Sequence, residues 1–258
     1  MRMAESSNKF VWYDLMTSDL AGAAAFYGSV VGWGSMDSGM AERPYHLFTM
    51  GQTVVAGLMP PPADAKGAPS LWVGYVGVED VDATAAKLKA AGGNVWRGPE
   101  DIPNNVGRFA VVSDAQGVPF SIFKPNGPEQ PGDTQFEPGR VGWHELHARD
   151  WKTAWDFYSG LFAWTLTEDM DMGPMGTYRM FATGGKSAVG GIMTKADDLP
   201  MPLWLFYFNV DAIDAAAARV KEGGGQVVNG PMQVPGGAWV IQATDPQGAM
   251  FAAVSMVK

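Results

Sequence analysis

Residues 12–33 read WYDLMTSDLAGAAAFYGSVVGW, and residues 143–164 read WHELHARDWKTAWDFYSGLFAW. Laid one over the other without a gap, Trp12 falls on Trp143, Asp19 on Asp150, Phe26-Tyr27 on Phe157-Tyr158 and Trp33 on Trp164. Two such copies in one chain mean a duplicated architecture, and the places where the copies differ are where function is to be sought. Bulky residues alternate over residues 10–17 as in a strand. Ser18 or Asp19 then offers an N-cap, and Leu20, Ala24, Tyr27 and Val31 recur at helical spacing up to Gly32.

Outward from this segment the pattern continues. Residues 45–50 and 53–59 read as strands around the turn Gly51-Gln52, and residues 71–78 as a third. A short helix over 80–91, closed by Gly92-Gly93, precedes a strand at 94–97. Strands at 108–113 and 119–124 flank the turn Asp114-Ala115-Gln116-Gly117. Val78, Asp82, Gly92, Pro99 and Pro103 then return as Val210, Asp214, Gly224, Pro231 and Pro235, and Asp114, Gly117 and Phe120 as Asp245, Gly248 and Phe251. The duplication therefore covers nearly the whole chain. The run NGPEQPGDTQFEPG at 126–139 has the Pro, Gly and acid content of a connection. The expected division is a first domain at 8–126, a linker at 127–139 and a second domain at 140–258.

Composition narrows the function classes. A hydrophobic fraction of 47% with 12% aromatics, in 258 residues, predicts a packed globular protein. Zero cysteines exclude disulfides, thiolate nucleophiles and thiolate metal sites. The net charge of −9 is shared by both halves, so no phosphate-backbone surface is expected and nucleic acid is not an expected partner. No apolar run reaches the roughly 18 residues of a membrane span, and MRMAESSNKF lacks the apolar stretch of a signal peptide. A cytoplasmic protein without membrane contact is expected. Neither a phosphate-cradling glycine loop nor a Gly-x-Ser-x-Gly elbow occurs.

The chain resembles the vicinal oxygen chelate superfamily, which includes glyoxalase I, bleomycin-resistance proteins and extradiol dioxygenases. The resemblance rests on four pieces in order, found twice. They are Asp19, Phe26-Tyr27, Gly32-Trp33 and Asp114 with Gly117, then Asp150, Phe157-Tyr158, Trp164 and Asp245-Pro246-Gln247-Gly248. It implies an α+β fold: a tandem duplication of glyoxalase-like domains, each of two βαβββ modules that form a curved, cup-like mixed sheet with helices outside. Such a cup holds a small ligand or a divalent metal, and the fold does not choose between them.

The resemblance also implies where metal ligands would stand. In metal-dependent members a His or Gln precedes the first Asp by about seven residues, where this chain has Trp12 and Trp143. The carboxylate of the last strand corresponds to Ser121 and Ala252, and a middle-strand His to Val73 and Leu205. None of these is an ordinary metal ligand, so no cofactor and no family-type metal is expected.

The copies disagree at Tyr13-Asp14-Leu15-Met16 against His144-Glu145-Leu146-His147. Alternation puts Trp143, Glu145 and His147 on one face and His144 on the other, and likewise Trp12, Asp14 and Met16 together. Glu145 with His147 is a candidate acid–base pair, or two ligands of a divalent metal with Asp14 or His46 completing the set. His144 reads as a core histidine, while His46 fits either face. Trp12, Trp72, Trp143 and Trp204, with Asp14 and Glu145, are the candidate ligand-binding residues, suited to flat, apolar or cationic molecules. Trp155, Phe157, Tyr158, Phe162 and Trp164 read as core.

The favoured reading is a small-molecule-binding protein of the glyoxalase and bleomycin-resistance type. The alternative is a divalent-metal-dependent lyase or dioxygenase of the same superfamily that uses Glu145 and His147 catalytically. A second alternative is a non-catalytic regulatory or scaffolding protein. Either a monomer or a homodimer is compatible with an internal duplication.

Overall fold

A computed structural model describes residues 8–40, 44–63, 67–127 and 135–258. Residues 128–134, most of the expected linker, lie outside them, as do 64–66 of the loop between Met59 and Leu71. The first repeat runs β1 (Phe10–Met16), α1 (Leu20–Val31), β2 (Gly34–Asp37), β3 (His46–Met50), β4 (Thr53–Met59), β5 (Leu71–Gly77), α2 (Val81–Ala90), β6 (Asn94–Ile102), β7 (Gly107–Ser113) and β8 (Pro119–Pro125). The second runs β9 (Val141–Ala148), α3 (Trp151–Phe162), β10 (Thr165–Asp171), β11 (Thr177–Ala182), β12 (Gly190–Thr194), β13 (Leu203–Asn209), α4 (Ile213–Glu222), β14 (Gln226–Gln233), β15 (Trp239–Thr244) and β16 (Met250–Ser255). Each repeat is thus βαβββ twice over. Its strands form one eight-stranded mixed sheet, in the order β2-β3-β4-β1-β5-β8-β7-β6 and, for the second, β10-β11-β12-β9-β13-β16-β15-β14.

Local chemistry sets the ends of the helices. Asp19 caps α1 by accepting from the Gly22 N–H at 2.9 Å, and the helix stops at Gly32, whose φ of 89° is left-handed. Asp80 caps α2 through the Ala83 N–H, and Asp150 caps α3 through the Lys152 N–H. The expected strand at 94–97 extends to Ile102, because register shifts between Val95 and Arg97 and between Arg97 and Glu100 carry the pairing on. One strand, β2, was not expected. All four of its residues are exposed, and it exists through backbone pairing with β3.

The chain packs as two compact units, each of which pools one module from either repeat. Among the described residues, one comprises those within Met1–Val11, Val73–Gly132 and His144–Trp204, the other those within Trp12–Trp72, Asp133–Trp143 and Leu205–Lys258. In the first, α2 packs beside α3, and Tyr158, Phe120, Phe162, Trp164 and Trp204 make one aromatic core. The Tyr158 hydroxyl donates to Asp114 Oδ2 at 3.2 Å and accepts from Trp204 Nε1 at 3.0 Å. In the second, α1 packs beside α4, and the same tie is made by Tyr27, which donates to Asp245 Oδ2 at 3.2 Å and accepts from Trp72 Nε1 at 2.8 Å. Burial, aided by the nearby carboxylate charge, raises both tyrosines well above the ordinary phenol range, so both remain donors. Tyrosine and Asp-x-x-Gly, the two most recognisable pieces of the repeat, are therefore one structural bond, made each time between different repeats.

Phe157, Tyr158, Phe162 and Trp164 are buried as expected. Trp155 is not. It is half-buried, with the Arg179 guanidinium 5.1 Å from its ring centroid.

Candidate functional site

Alternation along β9 and β1 separates two environments. His144 is on the helix side. Its ring stacks on Phe10 at 4.4 Å, and its Nδ1 lies 2.8 Å from the Val189 carbonyl. Burial lowers its pKa from 6.5 to about 4, which keeps it neutral. On the opposite face Glu145 and His147 stand together, with Glu145 Oε1 2.7 Å from His147 Nε2. The Tyr178 hydroxyl of β11 donates to Glu145 Oε2 at 2.9 Å.

The other unit presents a counterpart. Asp14 Oδ1 accepts from Trp12 Nε1 at 2.8 Å and from the Tyr45 hydroxyl at 2.8 Å, and the same indole N–H lies 3.1 Å from the Tyr45 oxygen. Tyr45 and Tyr178 correspond in sequence, as do the glycines in register with the two carboxylates, Gly57 beside Asp14 and Gly191 beside Glu145. A Cβ on Gly57 would overlap the Asp14 carboxylate and the Tyr45 hydroxyl, and one on Gly191 would overlap the Tyr178 ring. Gly191→Ala should therefore cost about 1–3 kcal/mol of stability by overpacking, whereas Gly185→Ala, on open ground, should be neutral. Equal melting temperatures for the two variants would contradict this packing.

Methionines complete both faces. Met59 is in register with Met16, and Met193 with His147, while Leu47 and Met180 lie across from Gly57 and Gly191. Each face therefore offers one carboxylate held by O–H and N–H donors, within an apolar, deformable surround. Tyr45, Tyr178, Gly57, Gly191, Met59, Met180 and Met193 were not singled out from the sequence. The signal existed, because Tyr45 and Tyr178 occupy matching places in the duplication, but it is diluted by small insertions between the first copies and these strands.

Of the residues expected at the site, Trp12 joins Asp14, and Glu145 joins His147. Trp143 is half-buried two positions before Glu145. Trp72 and Trp204 are corrected. They are only 4% exposed, and each indole N–H is committed to a core tyrosine beneath a helix, so neither ring lines a ligand face. His46 is also placed. It lines a surface groove beside α1 with Leu20, Ala21, Ala24, Ala25 and Ser35, while its neighbour Tyr45 reaches Asp14.

Comparison with known proteins agrees with this construction. The model of the Glyoxalase/Bleomycin resistance protein/Dioxygenase superfamily matches residues 9–122 and again 140–253. The chain belongs to this superfamily. It is 34% identical over 248 residues to a protein of Mycobacterium bovis named "Putative glyoxylase CFP32", covering 93% of this chain and 92% of that one. It is 29% identical over 259 residues to the anthracycline biosynthesis protein DauV of a Streptomyces species, covering 95% of this chain and 92% of that one. Among solved structures, the 2,2',3-trihydroxybiphenyl 1,2-dioxygenase of Sphingomonas wittichii superposes with a TM-score of 0.71 at 14% identity, covering 97% of this chain and 91% of that one. The Mn(II)-bound glyoxalase of Novosphingobium aromaticivorans gives 0.68 at 15% identity, covering 98% and 83%. These two likenesses establish the fold.

A family metal requires a donor set, and the residues present do not fit one. The positions implied by the resemblance hold indoles at Trp12 and Trp143, a buried hydroxyl at Ser121 and alkyl groups at Ala252, Val73 and Leu205. Both oxygens of Glu145 are already bonded, one to His147 and one to Tyr178. Among the described residues no group of three or more His, Asp or Glu side chains gathers to hold an ion. No helix among them is long and apolar enough to cross a membrane.

Proposed function

We propose that this superfamily member binds small, planar aromatic molecules without a metal, through the faces that carry Asp14 and Glu145. The observation that carries this reading is the repeated construction: a carboxylate braced by tyrosine, relieved by a glycine and bordered by methionine side chains. Thioethers and aromatic edges accept flat π-surfaces of varied outline, and a braced carboxylate fixes a polar substituent. Trp12 and Tyr45 act on Asp14 as Tyr178 and His147 act on Glu145, holding the oxygens in place before a ligand arrives. The relatives lend support, since anthracyclines are fused planar ring systems and one relative is named for their biosynthesis.

The test is a tryptophan-fluorescence titration of the purified protein in EDTA, with a panel of fused-ring phenols, quinones and aromatic amines. At least one saturable response is expected, and for a ligand seated on the Asp14 face Asp14→Asn should weaken it about tenfold, the loss of one charge-assisted hydrogen bond. A response that appears only when Mn(II) or Fe(II) replaces EDTA would favour the metal-dependent lyase or dioxygenase. Silence across the panel would overturn the binding reading.

A further inference from the structure

His147 has a nitrogen that the rest of the site leaves over. Its Nε2 faces Glu145 Oε1 at 2.7 Å, whereas its Nδ1 is buried and has no hydrogen-bond partner among the described residues. A carboxylate only accepts, so in the neutral imidazole the proton lies on Nε2 and Nδ1 is a bare lone pair. The residue in register on the adjacent strand, Met193, is a thioether with no proton to donate. The equivalent of His147 in the other unit is Met16, so this acceptor belongs to one face only. Buried acceptors in native proteins nearly always find a donor, and an orphan calls for an explanation.

We propose that His147 Nδ1 accepts a hydrogen bond from a hydroxyl or N–H group on the bound molecule, so that this face selects phenols and aryl amines over their ethers and ketones. The inference rests on the binding function argued above. Glu145 is then a positioning residue that sets the tautomer, and Tyr178 holds Glu145. Gly191 admits the Tyr178 ring against the strand, and Met193 has the unbranched flexibility to yield to an incoming ring. The selectivity follows from what an ether does at that nitrogen. It brings a second lone pair against the first and leaves the acceptor unpaired.

Calorimetric titration at pH 8 with 2-naphthol, 2-methoxynaphthalene and 2-acetylnaphthalene tests this. The protein should bind 2-naphthol about tenfold more tightly than either analogue, a difference of one hydrogen bond. In His147→Leu the three affinities should fall within about twofold of one another. Glu145→Gln makes a sharper test that does not depend on the first variant folding. The glutamine oxygen can take the Tyr178 hydroxyl while its NH2 faces His147 Nε2. That forces the imidazole proton onto Nδ1 and turns the acceptor into a donor. 2-Acetylnaphthalene should then gain about tenfold relative to 2-naphthol, a reversal that a merely structural role of Glu145 would not produce. Equal binding of the three probes by the unaltered protein, or a preference that survives in His147→Leu, overturns the assignment of the acceptor alone. Binding of none overturns both it and the function on which it rests.

Discussion

Asp114→Ala is expected to destabilise the protein by about 3–5 kcal/mol, and Asp245→Ala by a similar amount. Asp114 Oδ1 accepts from the N–H groups of Gln116 and Val118, each at 2.8 Å, and Oδ2 from Tyr158 at 3.2 Å. Asp245 repeats the set with Gln247, Ala249 and Tyr27 at 2.9, 2.8 and 3.2 Å. Alanine leaves three donors without an acceptor at a site only 1% exposed for Asp114 and 3% for Asp245. Each stranded buried donor costs about 1–3 kcal/mol. Asn in place of Asp should lose much less. It retains the oxygen that closes the turn, and because burial already pushes the Asp114 and Asp245 carboxyls up, removing the charge forfeits little. Urea unfolding of the four variants checks this. An alanine variant within about 1 kcal/mol of the parent would mean that the tyrosine–aspartate tie does not hold the units together internally.

That tie also shows what was legible in the sequence and what was not. Asp114, Tyr158 and their copies stood out as family signatures, yet nothing in their spacing said that the tyrosine of one repeat would meet the aspartate of the other. Residues 44 and 218 positions apart are joined by packing, and pattern along a chain carries no such information. Periodicity did locate α1 and β1, since Asp19 and Gly32 end a helical stripe of ordinary kind. It missed β2, because GSMD has no buried face to print an alternation on the sequence.

The site was half legible for a related reason. A period of two places Trp12 with Asp14, and Glu145 with His147, whichever way the strand faces. It does not say which face of β5 or β13 turns to the helices. Trp72 and Trp204 were therefore assigned to the ligand, though each indole N–H had a buried hydroxyl to satisfy beneath a helix. Tyr45 and Tyr178 were invisible because their role depends on strand pairing through Gly57 and Gly191. A glycine in a strand marks a close approach without naming what approaches.

His144→Asn should remove an acid-sensitive component of stability of about 3 kcal/mol. In the folded chain His144 titrates at about 4 instead of 6.5, and burial is the principal cause. The unfolded chain therefore binds a proton that the folded chain refuses throughout the interval between those values. Stability from this group is complete above about pH 6.5, falls as pH drops through that interval, and is fully lost once pH passes below 4. Asp114 and Asp245 act in the opposite sense, since raised carboxyl pKa values make the folded state the better proton binder, so the total profile mixes both signs. The difference between the parent and His144→Asn isolates one of them. Asparagine can keep a donor near the Val189 carbonyl while removing the titrating ring, at the expense of the stack on Phe10. Urea midpoints measured from pH 4 to pH 8 should thus diverge at high pH by the lost stacking and converge or cross toward pH 4. Parallel curves would show that His144 is not held neutral, and that the helix-side face of β9 is more hydrated than its packing indicates.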